Sequence, residues 1–188
     1  GTSPIRLLSL DFFRGATVAA MILVNNPGDW GNIYAPLRHA DWHGCTPTDL
    51  VFPSFLFIVG VSIAYAMGSK KNSPETHVKT IIKAFKRALI LFGLGLLLTL
   101  IPAVFFEPVA ALREMRIPGV LQRVAVVFFI TAFLFLKVSE RNLRLLFMIL
   151  LAVYWVLMTF VPVPGSGPAN LEKETNLGAW LDRTVFTE

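Results

Sequence analysis

Apolar residues along this chain come in five long blocks, which are separated by shorter polar links. Each block is close to the roughly 20 residues that an α-helix needs to cross about 30 Å of hydrocarbon. None shows the strict alternation of apolar and polar residues that is typical of β-barrel strands. The pattern therefore predicts an all-α integral membrane bundle of about five transmembrane helices, with spans at 7–24, 48–67, 84–106, 118–136 and 143–161.

The carboxyl-terminal end departs from this pattern. The run from Pro162 to Pro168 is rich in turn-forming residues and is not helical in character. After it, the stretch from Asn176 to Arg183 is typical of a short amphipathic surface helix. We therefore expect a five-helix transmembrane domain over 1–163 and a tail outside the cytoplasm over 164–188.

Composition agrees with a membrane protein. Hydrophobic residues make up 55% of the chain and charged residues 15%, against about 45–50% and about 25% in soluble domains. The net charge of +5 comes from basic residues between apolar blocks, as topogenic charges are, so nucleic acid is not an expected partner. The single cysteine, Cys45, leaves neither an intramolecular disulfide nor a Cys-x-x-Cys metal site.

Lysine and arginine are spread unevenly over the links. The link between the second and third blocks carries Lys70, Lys71, Lys79 and Lys83, whereas the link between the first and second holds only Arg38. Cytoplasmic links of membrane proteins carry the excess of positive charge. The distribution therefore predicts a cytoplasmic amino terminus and places the loop between the first two spans outside.

That outer loop, Arg38–Asp49, carries the densest chemistry of the chain. Imidazole acts as a base or nucleophile near neutral pH, so His39 is the leading catalytic candidate, with an ordinary loop histidine as the alternative. His39, Asp41 and His43 do not provide the defined three or four ligands of a metal site, and no metal is expected. Asp49 closes a capping box with Thr46, and it is also a candidate to orient His39.

Polar residues inside the blocks supply further candidates. Asn25 closes the first span, either as an ordinary helix end or as an amide that orients a carbonyl or imidazole. Asp11 and Arg14 lie three residues apart and are predicted to form an ion pair. Arg123, on the same helix face as Arg116, lies one turn into the fourth span; it either binds an acid or anionic ligand or reaches the interface.

Six motifs, spread in order over nearly the whole chain, contain these polar residues: Ser9–Gly15, Asn25, His39–Thr46, Asp49–Pro53, Arg116–Arg123 and Asn176–Arg183. Together they resemble the transmembrane acetyltransferases typified by heparan-α-glucosaminide N-acetyltransferase and their bacterial relatives. The resemblance implies transfer of acetyl from cytoplasmic acetyl-CoA to the amine of a terminal glucosamine on the other side. It also implies a multi-pass protein of the bacterial inner membrane.

The resemblance also assigns roles to residues. It implies that His39 is the active-site residue, with Asn25 beside it. Acetyl transfer through acetyl-His39 and direct transfer in a ternary complex both fit, with Asn25 or Arg123 stabilising the oxyanion. The expected catalytic residues are His39, Asn25 and Asp49. The expected substrate- or cofactor-binding residues are Arg123, Arg14, Asp11, Trp42 and His43.

The expected partners are membrane lipid, acetyl-CoA as the donor substrate and an amino-sugar acceptor. The family has about eleven membrane spans, so the five blocks here correspond to its amino-terminal half. The carboxyl-terminal half and a homo-oligomer are the further partners considered. One alternative is a transporter or exporter component for a small anionic or sugar substrate, which would use the same intramembrane charges without acetyl transfer. Another is a structural membrane protein without chemistry.

Overall fold

The computed structural model describes residues 7–106, 119–165 and 167–186, and within these ranges it leaves out the side chains of 99 and 102–106. The chain divides into two compact units, Gly1–Asn72 and Ser73–Glu188. Each unit has its own set of helix contacts. Arg116, which the sequence places on one face with Arg123, lies outside the described residues.

The first unit contains two long helices, α1 (Leu8–Asn25) and α2 (Pro47–Lys71), joined by a loop with a short 3₁₀ turn at Ala35–Leu37. The two helices pack against each other. Helix α2 begins with the predicted capping box, because the Asp49 carboxylate accepts the Thr46 backbone N–H at 2.9 Å. The backbone N–H at the first helical position has no partner within the helix, so a proline, which lacks it, is well suited there. Pro47 occupies that position.

The second unit contains α3 (Pro74–Phe106), α4 (Val120–Lys137), α5 (Glu140–Phe160) and α6 (Leu177–Phe186). Helices α3 and α4 make its most extensive contact. Small buried residues, among them Ala84 on α3 and Ala125 and Ala132 on α4, allow their backbones to approach closely. The rings of Phe85 and Phe129 meet edge to face at 5.4 Å.

Four helices in the described part of the chain, α1, α2, α4 and α5, are long and apolar enough to cross a membrane. None of the apolar window of α5 is buried within the protein, as expected for a surface that faces lipid. These helices confirm the predicted all-α membrane fold. The third expected span, 84–106, lies within α3, where several of its side chains are outside the described part, and position 118 of the fourth span is also outside it.

Candidate active site

The first unit brings two of the predicted catalytic residues into direct contact. His39 lies in the loop after the 3₁₀ turn, and its Nδ1 is 2.6 Å from Oδ1 of Asp49 on the first turn of α2. The His39 side chain is 62% exposed and that of Asp49 is 27% exposed. Asp49 therefore both caps α2 and holds the imidazole, which are the two roles that the sequence offered for it.

The other carboxylate oxygen of Asp49 is fixed by three donors. Oδ2 accepts the backbone N–H of Thr46 at 2.9 Å, the hydroxyl of Thr46 at 3.0 Å and the backbone N–H of Ala40 at 3.3 Å. Because Ala40 follows His39 directly, one carboxylate anchors both the imidazole and the backbone beside it. This arrangement leaves Oδ1 directed to Nδ1 of His39.

The contact determines which imidazole nitrogen can react. An ionised carboxylate only accepts hydrogen bonds, so Nδ1 of His39 must donate to Asp49. In a neutral imidazole the unprotonated nitrogen is then Nε2, which can take a proton or attack a carbonyl carbon. A buried or partly buried carboxylate plays the same part for histidine in serine proteases, where it sets the tautomer and stabilises the imidazolium.

The backbone around His39 is tied to the start of α2. The hydroxyl of Thr48, which is buried, donates to the carbonyl of Pro36 in the 3₁₀ turn at 3.1 Å. Gly44 has a φ of +130°, a backbone conformation that residues with a Cβ rarely adopt. It lies where the chain turns back towards Thr46. These features position the loop so that His39 reaches Asp49.

Two other predicted residues share the loop with His39. His43 is exposed, and Trp42 is 46% exposed. Arg38 and Asp41 form an exposed ion pair at 3.5 Å. Within the described part of the chain, no group of three or more His, Cys, Asp or Glu side chains is arranged to hold a metal ion.

Asn25 ends α1 in a conventional way. Its side-chain amide donates to the carbonyl of Met21 at 2.8 Å, one turn back along the same helix. Among the residues that the structure describes, no hydrogen bond joins Asn25 to His39. The predicted role of Asn25 beside the imidazole therefore stays a prediction.

Arg14 and Asp11 form the predicted pair, with Nη1 of Arg14 3.6 Å from Oδ1 of Asp11. In addition, Nη2 of Arg14 donates to the Ser62 hydroxyl on α2 at 2.8 Å. Sequence reasoning missed this contact, although a hydroxyl in an apolar span is a candidate partner for a charge. Ser62 lies 13 residues beyond Asp49, about 20 Å along α2, so the Arg14 pair is remote from His39.

Arg123 belongs to the second unit, on the first turn of α4. Its side chain is exposed and makes no hydrogen bond or ion pair with the described residues. The neighbouring Gln122 is 1% exposed, and its amide nitrogen has no hydrogen-bond partner among the residues that the structure describes. The sequence analysis did not predict the burial of Gln122.

The fold and the site define an α-helical membrane protein in which a histidine–carboxylate pair lies at the start of a membrane-spanning helix. Residues 6–177 match the family model described as heparan-alpha-glucosaminide N-acetyltransferase, catalytic. The chain belongs to this family, which confirms the resemblance read from its motifs.

Two curated relatives give the extent of the similarity. The chain is 34% identical over 183 residues to heparan-alpha-glucosaminide N-acetyltransferase of Homo sapiens, an alignment that covers 86% of this chain and 27% of the relative. It is 32% identical over 185 residues to the protein of the same name from Mus musculus, covering 87% of this chain and 27% of the relative. The chain thus spans about a quarter of the length of these relatives.

Proposed function

We propose that the protein containing this chain is a membrane acetyltransferase that moves acetyl from cytoplasmic acetyl-CoA to the amine of an amino sugar on the outer side. The observation that carries the proposal is the 2.6 Å contact between His39 and Asp49 in a chain of an N-acetyltransferase family. A histidine in this arrangement has the chemistry that acyl transfer requires.

The reaction can follow two routes from the same imidazole. In the direct route, Nε2 of His39 removes a proton from the acceptor amine, whose nitrogen attacks the thioester carbonyl. In the covalent route, Nε2 attacks that carbonyl itself and forms acetyl-His39, which the amine then deacylates. In both routes the carbon–sulfur bond breaks and Asp49 stabilises the imidazolium. In the direct route the imidazolium passes the amine proton to the departing sulfur, so CoA leaves as the thiol. In the covalent route CoA leaves as the thiolate, and the proton that the amine loses when it attacks acetyl-His39 balances that charge.

Other residues take supporting roles in this proposal. Asn25 or Arg123 donates to the oxyanion that forms on the thioester carbonyl, and a positioned donor of this kind typically contributes a factor of about 10²–10³. Trp42 and His43 bind the acceptor beside His39, with which they share a loop. Asp11 and Arg14 belong to the expected substrate-binding set, and the hydrogen bond from Arg14 to Ser62 supports a contribution through the placement of α1 on α2.

The proposal includes a location. In this proposal the chain belongs to a multi-pass protein of a bacterial inner membrane, and the excess of lysine and arginine in the link after α2 supports a cytoplasmic amino terminus. The His39 loop then faces the periplasm, where the acceptor sugar is presented. Since the relatives are much longer than this chain, we propose that the remaining part of the family fold, and a second copy of the protein, complete the active unit.

The test is acceptor-dependent release of CoA by the purified full-length protein. CoA is quantified by chromatography, because the exposed thiol of Cys45 would react with a thiol reagent. Glucosamine should release CoA and yield N-acetylglucosamine, whereas N-acetylglucosamine as the acceptor should release none, since its amine is blocked. Transport of the sugar without any CoA release would contradict the proposal and favour a transporter.

A further inference from the structure

The amino-terminal part of α3 extends further than a membrane span requires. The helix has 33 residues, about 50 Å at 1.5 Å per residue, whereas the hydrocarbon core is about 30 Å thick. Because the block 84–106 within α3 is the expected third span, roughly 20 Å of helix is expected outside the hydrocarbon. Its polar residues are concentrated in the first four turns, within 75–89, so this end is the part that reaches the membrane surface.

One exposed face of this end is basic. Lys79, Lys83, Lys86 and Arg87 are all exposed, and their spacing places them on one face of the helix. None of these four side chains makes a hydrogen bond or ion pair with the residues that the structure describes. Glu75, one turn earlier, is the acidic residue of the segment 75–89, which keeps a net positive charge. We call these four residues the basic stripe.

A second exposed face, next to the basic stripe, is apolar. It consists of four residues that are between 49% and 64% exposed: Val78, Ile82, Phe85 and Leu89. They are three or four residues apart, so they lie along one side of the helix. We call them the apolar stripe. The opposite face of the helix is buried and contains His77, Thr80, Ala84 and Ala88.

We propose that these two stripes bind anionic phospholipid at the membrane surface. This end of α3 continues a helix that is expected to cross the membrane, so it passes through the headgroup layer. There the cations nearest the hydrocarbon meet lipid phosphates, and the apolar residues beside them meet the acyl boundary. The charge of the basic stripe is unpaired within the described protein, so lipid phosphates supply its counterions. The inference does not depend on acetyl transfer.

The geometry favours lipid over a soluble phosphate compound such as CoA. The basic stripe extends over nine residues, from Lys79 to Arg87, which is about 12 Å along the convex outside of a helix. Sites for soluble ligands are instead concave and converge on the ligand. The apolar stripe beside it also suits acyl chains. Lys86 and Arg87, nearest the apolar end, can bury their methylene stems and keep their charges at phosphate level.

The test is native mass spectrometry of the detergent-purified full-length protein, titrated with phosphatidylglycerol or phosphatidylcholine. The wild-type protein should bind phosphatidylglycerol more tightly. Lys79→Gln/Lys83→Gln/Lys86→Gln should weaken that binding by about 100-fold, or roughly fivefold for each charge near the surface. The charge-keeping control Lys79→Arg/Lys83→Arg/Lys86→Arg should bind as the wild type does.

Three results would overturn the inference. These are equal binding of the two lipids by the wild type, unchanged phosphatidylglycerol binding in the glutamine variant, and displacement of the lipid from the wild type by CoA. The last would assign the basic stripe to nucleotide phosphate instead. If the glutamine variant does not fold, the same test is made by measuring phosphatidylglycerol binding to the wild type at increasing salt concentration. Screening of the charges should then release the anionic lipid.

Discussion

At the scale of single residues, the carboxylate of Asp49 links helix capping to the candidate reactive group. Its Oδ2 accepts hydrogen bonds from Thr46 and Ala40, and its Oδ1 contacts His39. The three donors to Oδ2 restrict rotation of the carboxylate. They therefore fix the position of Oδ1, to which the imidazole is hydrogen-bonded. The proposed chemistry at Nε2 of His39 depends on this arrangement.

The first prediction is that Asp49→Asn lowers acetyl transfer by roughly 10²–10⁴-fold. An amide at this position can donate to Nδ1 of His39, which moves the imidazole proton to Nε2 and removes the base. The amide oxygen still accepts from Thr46, so the cap is largely kept. The measurement is turnover as a function of pH in the full-length variant, with its thermal unfolding midpoint recorded in parallel.

Thr46→Ala is the matched control, since it removes the hydroxyl donor but keeps the backbone N–H that Asp49 accepts. Loss of a capping side chain typically costs about 1 kcal/mol, so stability should fall slightly while turnover stays within a few-fold of the wild type. Equal loss of activity in both variants would mean that Asp49 acts through the cap and not through His39.

At the scale of helices, the α3–α4 contact depends on glycine. A Cβ built at Gly95 would lie 2.9 Å from the Gln122 side chain and 2.9 Å from Cβ of Leu121. At Gly119, before α4, a Cβ would lie 2.6 Å from Oε1 of Gln122. The buried glutamine thus occupies space that two glycines leave open. Gly95 of α3 meets the start of α4, and the earlier Phe85 meets the later Phe129, so the two helices are antiparallel.

The second prediction is that Gly95→Ala lowers the thermal unfolding midpoint, because overpacking at a tight contact typically costs about 1–3 kcal/mol. The methyl group would press on Cβ of Leu121, which is close to the backbone and cannot rotate away. Gly93→Ala is the control two residues earlier, where a Cβ meets nothing within 4 Å. Its midpoint should be unchanged or slightly higher, since alanine favours helix.

Equal midpoints for the Gly95 and Gly93 variants would contradict the close approach of α3 and α4. A lower midpoint in the Gly93 variant would do the same. The comparison is carried out in the full-length protein in one detergent, so that the lipid and detergent contributions cancel.

The sequence predicted those features of the helices that depend only on neighbouring residues. Apolar runs of sufficient length predict spans, and Thr46, Pro47 and Asp49 form a cap that can be read directly. The contact of Asp49 with His39 was one of two open interpretations, because it depends on the path of the nine residues between them. The partners Ser62 for Arg14 and Gly95 for Gln122 lie 48 and 27 residues away, and no local pattern specifies pairs at such separations.

At the scale of the whole molecule, the account combines a topology with a reaction. The proposal takes the acetyl donor from the cytoplasm and the acceptor sugar from the outer side, and it therefore expects His39 on the outer side. The charges in the links support that orientation. The exposed, unpaired Cys45 lies in the same loop as His39 and can report its side of the membrane.

The third prediction is that a thiol reagent that cannot pass the membrane labels Cys45 in intact spheroplasts. The full-length protein is first freed of other cysteines by substitution with serine. Cys45→Ser/Asn72→Cys is the control, because Asn72 is exposed in the link after α2, which is expected in the cytoplasm. It should be labelled only after permeabilisation. The reverse pattern would contradict the topology.

The most direct test of the central claim is turnover of the full-length His39→Ala variant with acetyl-CoA and glucosamine. Removal of a positioned acid–base group typically costs roughly 10²–10⁴-fold, and loss of a covalent nucleophile costs more. Acetyl-CoA binding and the unfolding midpoint should stay close to the wild type, and His43→Ala, in the same exposed loop, should cost much less. Near-normal turnover without His39 would show that this imidazole is not the catalytic centre.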